Sequence, residues 1–440
     1  MDLLRMNEDA LRSLRTVDEA EAYSVRSRTY AVYVDDSSIS NIEFKDDAGL
    51  SVRVMDGGRM GSAASTMGED APRECALRAL RAASLSPTDA ALRGFSVPQE
   101  AIVPAPDVLD RRIADQGPDD LVEMAEAIVS AASPAKVPRG LLRAALVETA
   151  VSNSNGVEVS QRSTLVYGHF TSMVVGNSPG EGVQAIHSNH LDMDADIIGS
   201  RLLGSARSHA EAISFKGQEE LDMILPPSEL EDMTLSSIGS ALNGENVVLG
   251  RSPWSGKEGE KVASECLTVI DDPGSPSLLA GRYDDEGNPT RTKTLVQNGE
   301  LQGFMFDNYN GASTGNGWRR EPNDPQGSYR LPVRIGPANL RITPGRMSLD
   351  DIIAETGNGI LVERLAWPEV DPLSGRFGLE LRCGHLIRDG EKVATIKNAL
   401  LAGEMFNAWK MVRAVGSENV RGARSDVPPI SFAGARLVGV

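Results

Sequence analysis

The alternation of apolar and polar positions in the first third of the chain predicts antiparallel strands followed by helices. Four strand-like runs occur between residues 20 and 65, at 22–34, 39–44, 50–55 and 59–64. The breaks between them are Asp35-Asp36-Ser37, Asp46-Asp47-Ala48-Gly49 and Asp56-Gly57-Gly58, each with turn chemistry. Val32 and Val34 flank Tyr33, so one face of the first strand is expected to be buried. Cys75, Leu77, Leu80 and Ala83 recur at helical spacing over 70–84, where Cys75 reads as a small core residue. Pro87, Pro98, Pro104, Pro106 and Pro118 mark 86–118 as an extended connection. A helix over 119–132 presents Leu121, Met124, Ile128 and Val129. A long hairpin follows, with strands 142–152 and 157–175 joined at Asn155-Gly156, and then a helix over 194–213.

Residues 221–225 (LDMIL) read as a short buried strand. The next helix has Ser228 and Glu231 at capping-box spacing, Leu230, Leu235, Ile238 and Leu242 as its stripe, and Gly244 as its expected stop. Beyond residue 245 strands dominate: 267–270, 340–342, 359–365, 377–388, 391–401 and 430–440. Asn298-Gly299 and Asp389-Gly390 are hairpin signals, because both central residues of a type I′ turn need positive φ. Short helices are expected near 348–356 and 404–412. The pattern predicts an α+β protein, with an antiparallel sheet and helices over 1–216 and a β-rich region over 217–440.

Composition narrows the partners. A net charge of −18 and a pI near 4.8 argue against a nucleic-acid surface, which needs a basic patch. Three cysteines, Cys75, Cys266 and Cys383, are far apart and fit a reducing compartment. The opening MDLLRMNEDALRSLR reads as a charged helix rather than a signal peptide, and no apolar run is long enough to span a bilayer. A cytoplasmic protein with no membrane partner is expected.

Residues 281–317 stand apart. Asp284-Asp285-Glu286-Gly287 is a turn signal, Thr290 to Val296 alternates, and the Asn298-Gly299 turn leads into a return strand carrying Leu301, Gly303, Met305 and Asp307 on one face. The stretch ends in Ser313, Thr314, Gly315, Asn316 and Gly317, which fit an ordinary surface loop or a backbone approached closely by a ligand or partner. These residues resemble the TldD/PmbA (TldE) family, named for a link to DNA gyrase and known as subunits of a zinc peptidase. The resemblance rests on the FDxEGxPT-like run Tyr283 to Thr290, the NGxLxGF-like run Asn298 to Phe304 and the STGNG loop, and extends in order and spacing over nearly the whole chain.

The resemblance implies a specific chemistry and a specific departure from it. In the TldD branch the helix after the LDMIL-like strand carries His-Glu-x-x-x-His, and a cysteine near the C-terminus adds a ligand. Here that helix reads SELEDMTLSSIGSALNGEN, with Glu229, Glu231 and Asp232 but no histidine, and no cysteine follows Cys383. Tight zinc sites want imidazole or thiolate. The likeness is therefore to the PmbA/TldE branch. It implies a non-catalytic subunit with no metal or cofactor of its own, paired with a zinc-bearing TldD-like paralogue or with itself, and acting on unfolded peptides. The Ser313–Gly317 loop is the candidate lining of the shared cavity.

Rival readings remain open. His187 and His190, with Asp192, Asp194 and Asp196 nearby, allow a homodimeric hydrolase with a non-standard metal site, although they fit a solvated loop before a helix. A binding or scaffold protein is the third reading. His169 and His385 read as structural strand histidines and His209 as a surface residue. Cys383 and His385 share a strand face, but no third orienting group is evident. No GxSxG elbow and no phosphate loop occur.

Overall fold

The computed structural model describes residues 1–68, 70–115, 117–175, 178–320 and 327–439; residue 116, within the expected connection over 86–118, and residue 440, the end of the expected last strand, lie outside them. The first half is built on one antiparallel sheet: β1 (Glu19–Asp35), β2 (Ser38–Asp56), β3 (Arg59–Thr66), β4 (Lys136–Asn153), β5 (Glu158–Val174) and β6 (Gly180–Ser188), in spatial order β3-β2-β1-β4-β5-β6. Among the described residues five helices accompany it: α1 (Leu3–Arg12), α2 (Ala71–Leu85), α3 (Arg111–Asp115), α4 (Asp119–Ala131) and α5 (Ala195–Glu211). Leu50, Val52 and Ala22 pack under α1 and α2, while Val32, Leu142, Phe170 and Leu202 pack around α4 and α5. The opposite face meets the second half of the chain, where Tyr23, Val25, Val147 and Leu165 contact Leu278, Tyr329 and Ala423. Every residue of β1 from Ala20 to Val25 is accordingly buried, because the sheet is covered on both faces there.

Two elements of this half differ from the sequence expectation, the first for a physical reason. Asp46 to Gly49 does not turn: β2 runs through it, since Arg26 pairs with Asp46 (2.9 and 2.6 Å) and Tyr329 fills the space beside Gly49. Cross-strand partners outweigh turn propensity. The long hairpin also starts earlier than expected, at Lys136.

In the second half five strands close on themselves. Gln218–Leu225 pairs in parallel with Asn358–Leu365, which pairs with Arg376–Arg388, then Ala399–Glu404, then Ile430–Gly439, and back to Gln218–Leu225. Closure removes the exposed edges of those strands. A smaller sheet centred on Val269–Asp271 shares the same core, which includes Met223, Leu230, Trp254, Leu301, Leu340, Trp409 and Phe432. The return strand after Asn298-Gly299 is shorter than expected, only Glu300–Leu301, because the chain then leaves the sheet to reach Leu242 and Gly244. Among the described residues no helix is long and apolar enough to cross a membrane.

Candidate functional site

The helix after the LDMIL strand is α6 (Pro227–Thr234), which continues as one π-helical turn over Leu235–Gly239. It begins on Pro226 without a side-chain cap, so the expected Ser228–Glu231 capping box does not form. The carboxylates turn elsewhere. Glu229 accepts the Leu365 amide (2.9 Å) and Glu231 accepts the Arg424 amide (3.2 Å). Gly244 does not end the helix; Asn243 caps a new short helix there, and Gly244 is required because a Cβ would meet the Phe306 ring and the Met305 carbonyl.

Burial raises the Glu229 pKa to about 7, with the Asp232 charge adding and the Leu365 amide opposing. Burial raises Asp232 to about 6, helped by Glu231 and Glu369 and opposed by His187. Three crowded carboxylates, two of them spent on main-chain amides, do not fit a tight zinc site, which calls for imidazole or thiolate donors. Among the described residues no three His, Cys, Asp or Glu side chains are grouped to hold a metal ion.

His187 and His190 diverge in their neighbours. His187 lies in β6, not in a loop as expected, and packs against Tyr167 with ring centroids 5.6 Å apart and the planes tilted by 46°. His190 turns its Nε2 to the Asp107 carbonyl (3.1 Å). His209 is half-buried rather than a surface residue, and its Nδ1 accepts the Glu181 amide (3.1 Å). The Cys383–His385 pair does have a third group, which the sequence did not reveal because it comes from another strand. Glu363 Oε2 receives the Ser208 hydroxyl (2.6 Å), His385 Nε2 (3.1 Å) and the Cys383 thiol (3.3 Å). Burial acts to raise the Glu363 pKa, but these donors outweigh it and hold it at about 2. Burial and the Glu363 charge push the Cys383 thiol up to about 12, so no thiolate nucleophile forms near neutral pH. The cluster is a satisfied polar contact between α5 and the C-terminal strands.

The 281–317 stretch is the centre of a buried polar network. Asp284 accepts the amides of Glu286 (3.0 Å), Asn288 (2.9 Å) and Gly317 (3.0 Å). Burial and the neighbouring Glu286 charge raise its pKa above the usual carboxylate range against the pull of those amides. Asp285 receives the Arg319 amide (2.8 Å) and the Arg320 guanidinium (3.0 Å). Arg53 of β2 bridges Glu21 of β1 (2.8 Å) and Glu286 (2.8 Å), and Arg319 reaches the same Glu21 (2.8 Å). The turn thereby ties the second half of the chain to the first sheet.

Within the loop, Asn316 is fully buried and donates to Asp271 (2.7 Å) and to the Gly336 carbonyl (2.9 Å). Gly315 has φ +75°, and a Cβ there would lie 2.6 Å from the Pro289 carbonyl; a Cβ on Gly317 would strike Glu286. Ser313 and Thr314 stay half-buried at the outer edge. Nothing in the sequence signalled Glu21, Arg53 or Arg319 as members of this network, since they lie far from it along the chain.

Comparison with known proteins agrees with this architecture. Residues 20–83 match the model for PmbA/TldA metallopeptidase domain 1, residues 111–207 the central domain, and residues 218–439 the C-terminal domain. The chain is similar to the crystal structure of TldE from Thermococcus kodakarensis, with 26% identity, a TM-score of 0.87 and coverage of 99% of this chain and 100% of that one. It is 26% identical to a metalloprotease of Methanothermobacter thermautotrophicus over 91% of this chain and 88% of the relative. A TldD homologue of Buchnera aphidicola matches 41% of this chain at 34% identity. On its fold and on the run of all three domain models along it, this chain belongs to the PmbA/TldD metallopeptidase family.

Proposed function

We propose that this chain is a non-catalytic subunit of the TldE/PmbA type, working with a zinc-bearing TldD-like homologue to cleave unfolded peptides. One observation carries the reading: on α6, where the TldD branch has its histidines, this chain has Glu229, Glu231 and Asp232, and two of these hold backbone amides of Leu365 and Arg424. Peptide hydrolysis at neutral pH needs an activated water or nucleophile, and a metal-bound water is the usual source in metallopeptidases. The similarity to a TldE structure over its whole length supports the same role. The family frame is kept while the reactive donors are missing, which fits a subunit that encloses substrate for another. Ser313 and Thr314, at the outer edge of the network, are the candidate contacts to that cavity; Gly315 to Gly317 hold them in place. An extended peptide bound through its backbone would require little sequence preference. A cytoplasmic setting suits three unpaired thiols.

The test is reconstitution. Pure protein should hold well below one equivalent of zinc after dialysis and leave an unstructured peptide intact. Mixed with a zinc-bearing paralogue from the same source, it should give chelator-sensitive cleavage above that of the paralogue alone. Chelator-sensitive cleavage by the single chain, or a paralogue whose rate ignores the addition, would overturn the reading.

A further inference from the structure

Asparagine–glycine pairs occur along the chain at Asn155, Asn243, Asn298, Asn310, Asn316 and Asn358. In such a pair the glycine nitrogen can attack the asparagine side-chain amide, because glycine puts no Cβ in the way. The attack needs that nitrogen free to lose its proton and to turn toward the asparagine Cγ, so a hydrogen-bonded glycine amide is held back. Gly156 donates to the Asn153 carbonyl (3.2 Å), Gly244 to the Met305 carbonyl (2.8 Å), Gly299 to the Leu267 carbonyl (2.8 Å) and Gly317 to Asp284 Oδ2 (3.0 Å). Gly359 is paired in register with Asp222 on one side and with Ile387 on the other. The Gly311 amide differs from all of these: it donates to no described residue.

Gly311 lies in a loop closed at its base by Phe306 and Thr314. The Thr314 amide donates to the Phe306 carbonyl (3.0 Å), and the Phe306 amide to Thr314 Oγ1 (2.8 Å). Tyr309 and Ala312 are exposed, and Asn310 and Gly311 between them are half-buried, so water reaches the pair. Asp307 orders the turn, as aspartate does through local side-chain bonds. Its Oδ1 accepts both the Asn310 amide (2.8 Å) and Asn310 Nδ2 (2.9 Å). Asp307 is itself buried, with the charges of Glu286 and Arg53 close to it. A carboxylate in place of the Asn310 amide loses one of those two donors and sets a further negative charge against Asp307.

We propose that Asn310 is a site of spontaneous deamidation, and that its acidic products open the loop over 306–314. The Gly311 nitrogen bonds to Asn310 Cγ and gives its proton to solvent, while the Cγ–Nδ2 bond breaks and that nitrogen leaves as ammonia. Water then opens the cyclic imide at either carbonyl, giving aspartate or isoaspartate. Nothing is oxidised or reduced, and water is the only co-reactant. Asparagine is thermally labile in general; the fold selects which one reacts first. Both products carry the charge that Asp307 opposes, and isoaspartate also lengthens the main chain within a loop pinned at both ends. Ser313 and Thr314 share that loop, so the modification alters their setting while requiring neither zinc, peptide nor partner.

The full chain serves for the test. It is incubated folded or in urea, at neutral and at mildly alkaline pH, then digested under acidic conditions and read by peptide mass spectrometry. Digestion in heavy-oxygen water marks any conversion that occurs after the incubation. In the folded chain Asn310 should convert at least about tenfold faster than the asparagine of any other Asn–Gly pair, equivalent to about 1.4 kcal/mol in the barrier. The rate should rise at the alkaline pH, because the attacking nitrogen must lose its proton. In urea the pairs should converge, since the hydrogen bonds that restrain the others are gone. Asn310→Gln, whose longer side chain closes the ring slowly, should leave that peptide unmodified. Asn310→Asp, which installs the product charge at once, should lower the melting temperature and speed hydrogen exchange at the Phe306 and Thr314 amides. Equal conversion of all the pairs in the folded chain, a restrained pair that reacts before Asn310, or an Asn310→Asp chain as protected at Phe306 and Thr314 as wild type would each overturn the proposal. Freshly prepared chain can still stimulate a zinc-bearing paralogue in any of these cases, so failure here is distinct from failure of the subunit role.

Discussion

Replacing Glu229 with glutamine should change how stability depends on pH. Burial raises this carboxyl from 4.5 to about 7, with Asp232 contributing and the Leu365 amide opposing. Each unit is worth about 1.36 kcal/mol, so the full effect is about 3 kcal/mol. The folded-state value lies above the unfolded one. The contribution is therefore fully present below the unfolded value, where both states are protonated, and is lost as pH rises through the folded one. Between pH 5 and pH 8 about 2.5 kcal/mol of stability should disappear through this group. Glutamine keeps the acceptor for the Leu365 amide but cannot ionise. Urea unfolding followed by intrinsic fluorescence suits the measurement, because Trp409 is fully buried and donates to Ser237 (3.0 Å) in the π-helical turn that continues α6. Other groups titrate in the same range, so the informative quantity is Glu229→Gln minus wild type. That difference should grow in favour of the variant by about 2.5 kcal/mol from pH 5 to pH 8. A difference that stays constant across this range would refute the reasoning and place the Glu229 charge in contact with solvent or a cation.

Arg53→Ala should cost about 3–5 kcal/mol in the same unfolding assay, since it strands Glu286 in the interior and leaves Glu21 with Arg319 alone, whereas Arg12→Ala, which breaks only exposed pairs on α1, should leave the midpoint unmoved. Asn316→Ala removes the donor to Asp271 and Gly336 and should cost about 1–3 kcal/mol, while Ser313→Ala should be neutral for stability and, if the loop lines the cavity, lower the stimulation of a zinc-bearing paralogue. Gly315→Ala should destabilise by more than about 1 kcal/mol, read as a lower melting temperature, because both φ and the Pro289 carbonyl oppose a side chain.

Local patterns in the sequence determined much of the fold. The alternating runs, the Asn298-Gly299 and Asp389-Gly390 turns and the helical stripes are signals carried by neighbours a few residues apart, and such signals need no knowledge of the rest of the chain. Both turns have their asparagine or aspartate at positive φ, as the turn type demands. The absence of histidine from the α6 sequence was equally legible. Tertiary contacts decided the rest. Asp46 to Gly49 looked like a turn until Arg26 and Tyr329 supplied partners from distant positions. Ser228 and Glu231 had capping spacing, but a buried carboxylate is stabilised more by an otherwise unpaired amide, here that of Arg424, than by a solvent-facing helix end. Cys383 and His385 lacked an orienting group in sequence because Glu363 reaches them across a strand pair, at a register shift between Val362 and Arg364. The network of Glu21, Arg53, Glu286 and Arg319 joins residues hundreds of positions apart. A charged residue in a strand carries no local mark of burial; only the packing of one half of the chain on the other makes it a buried partner.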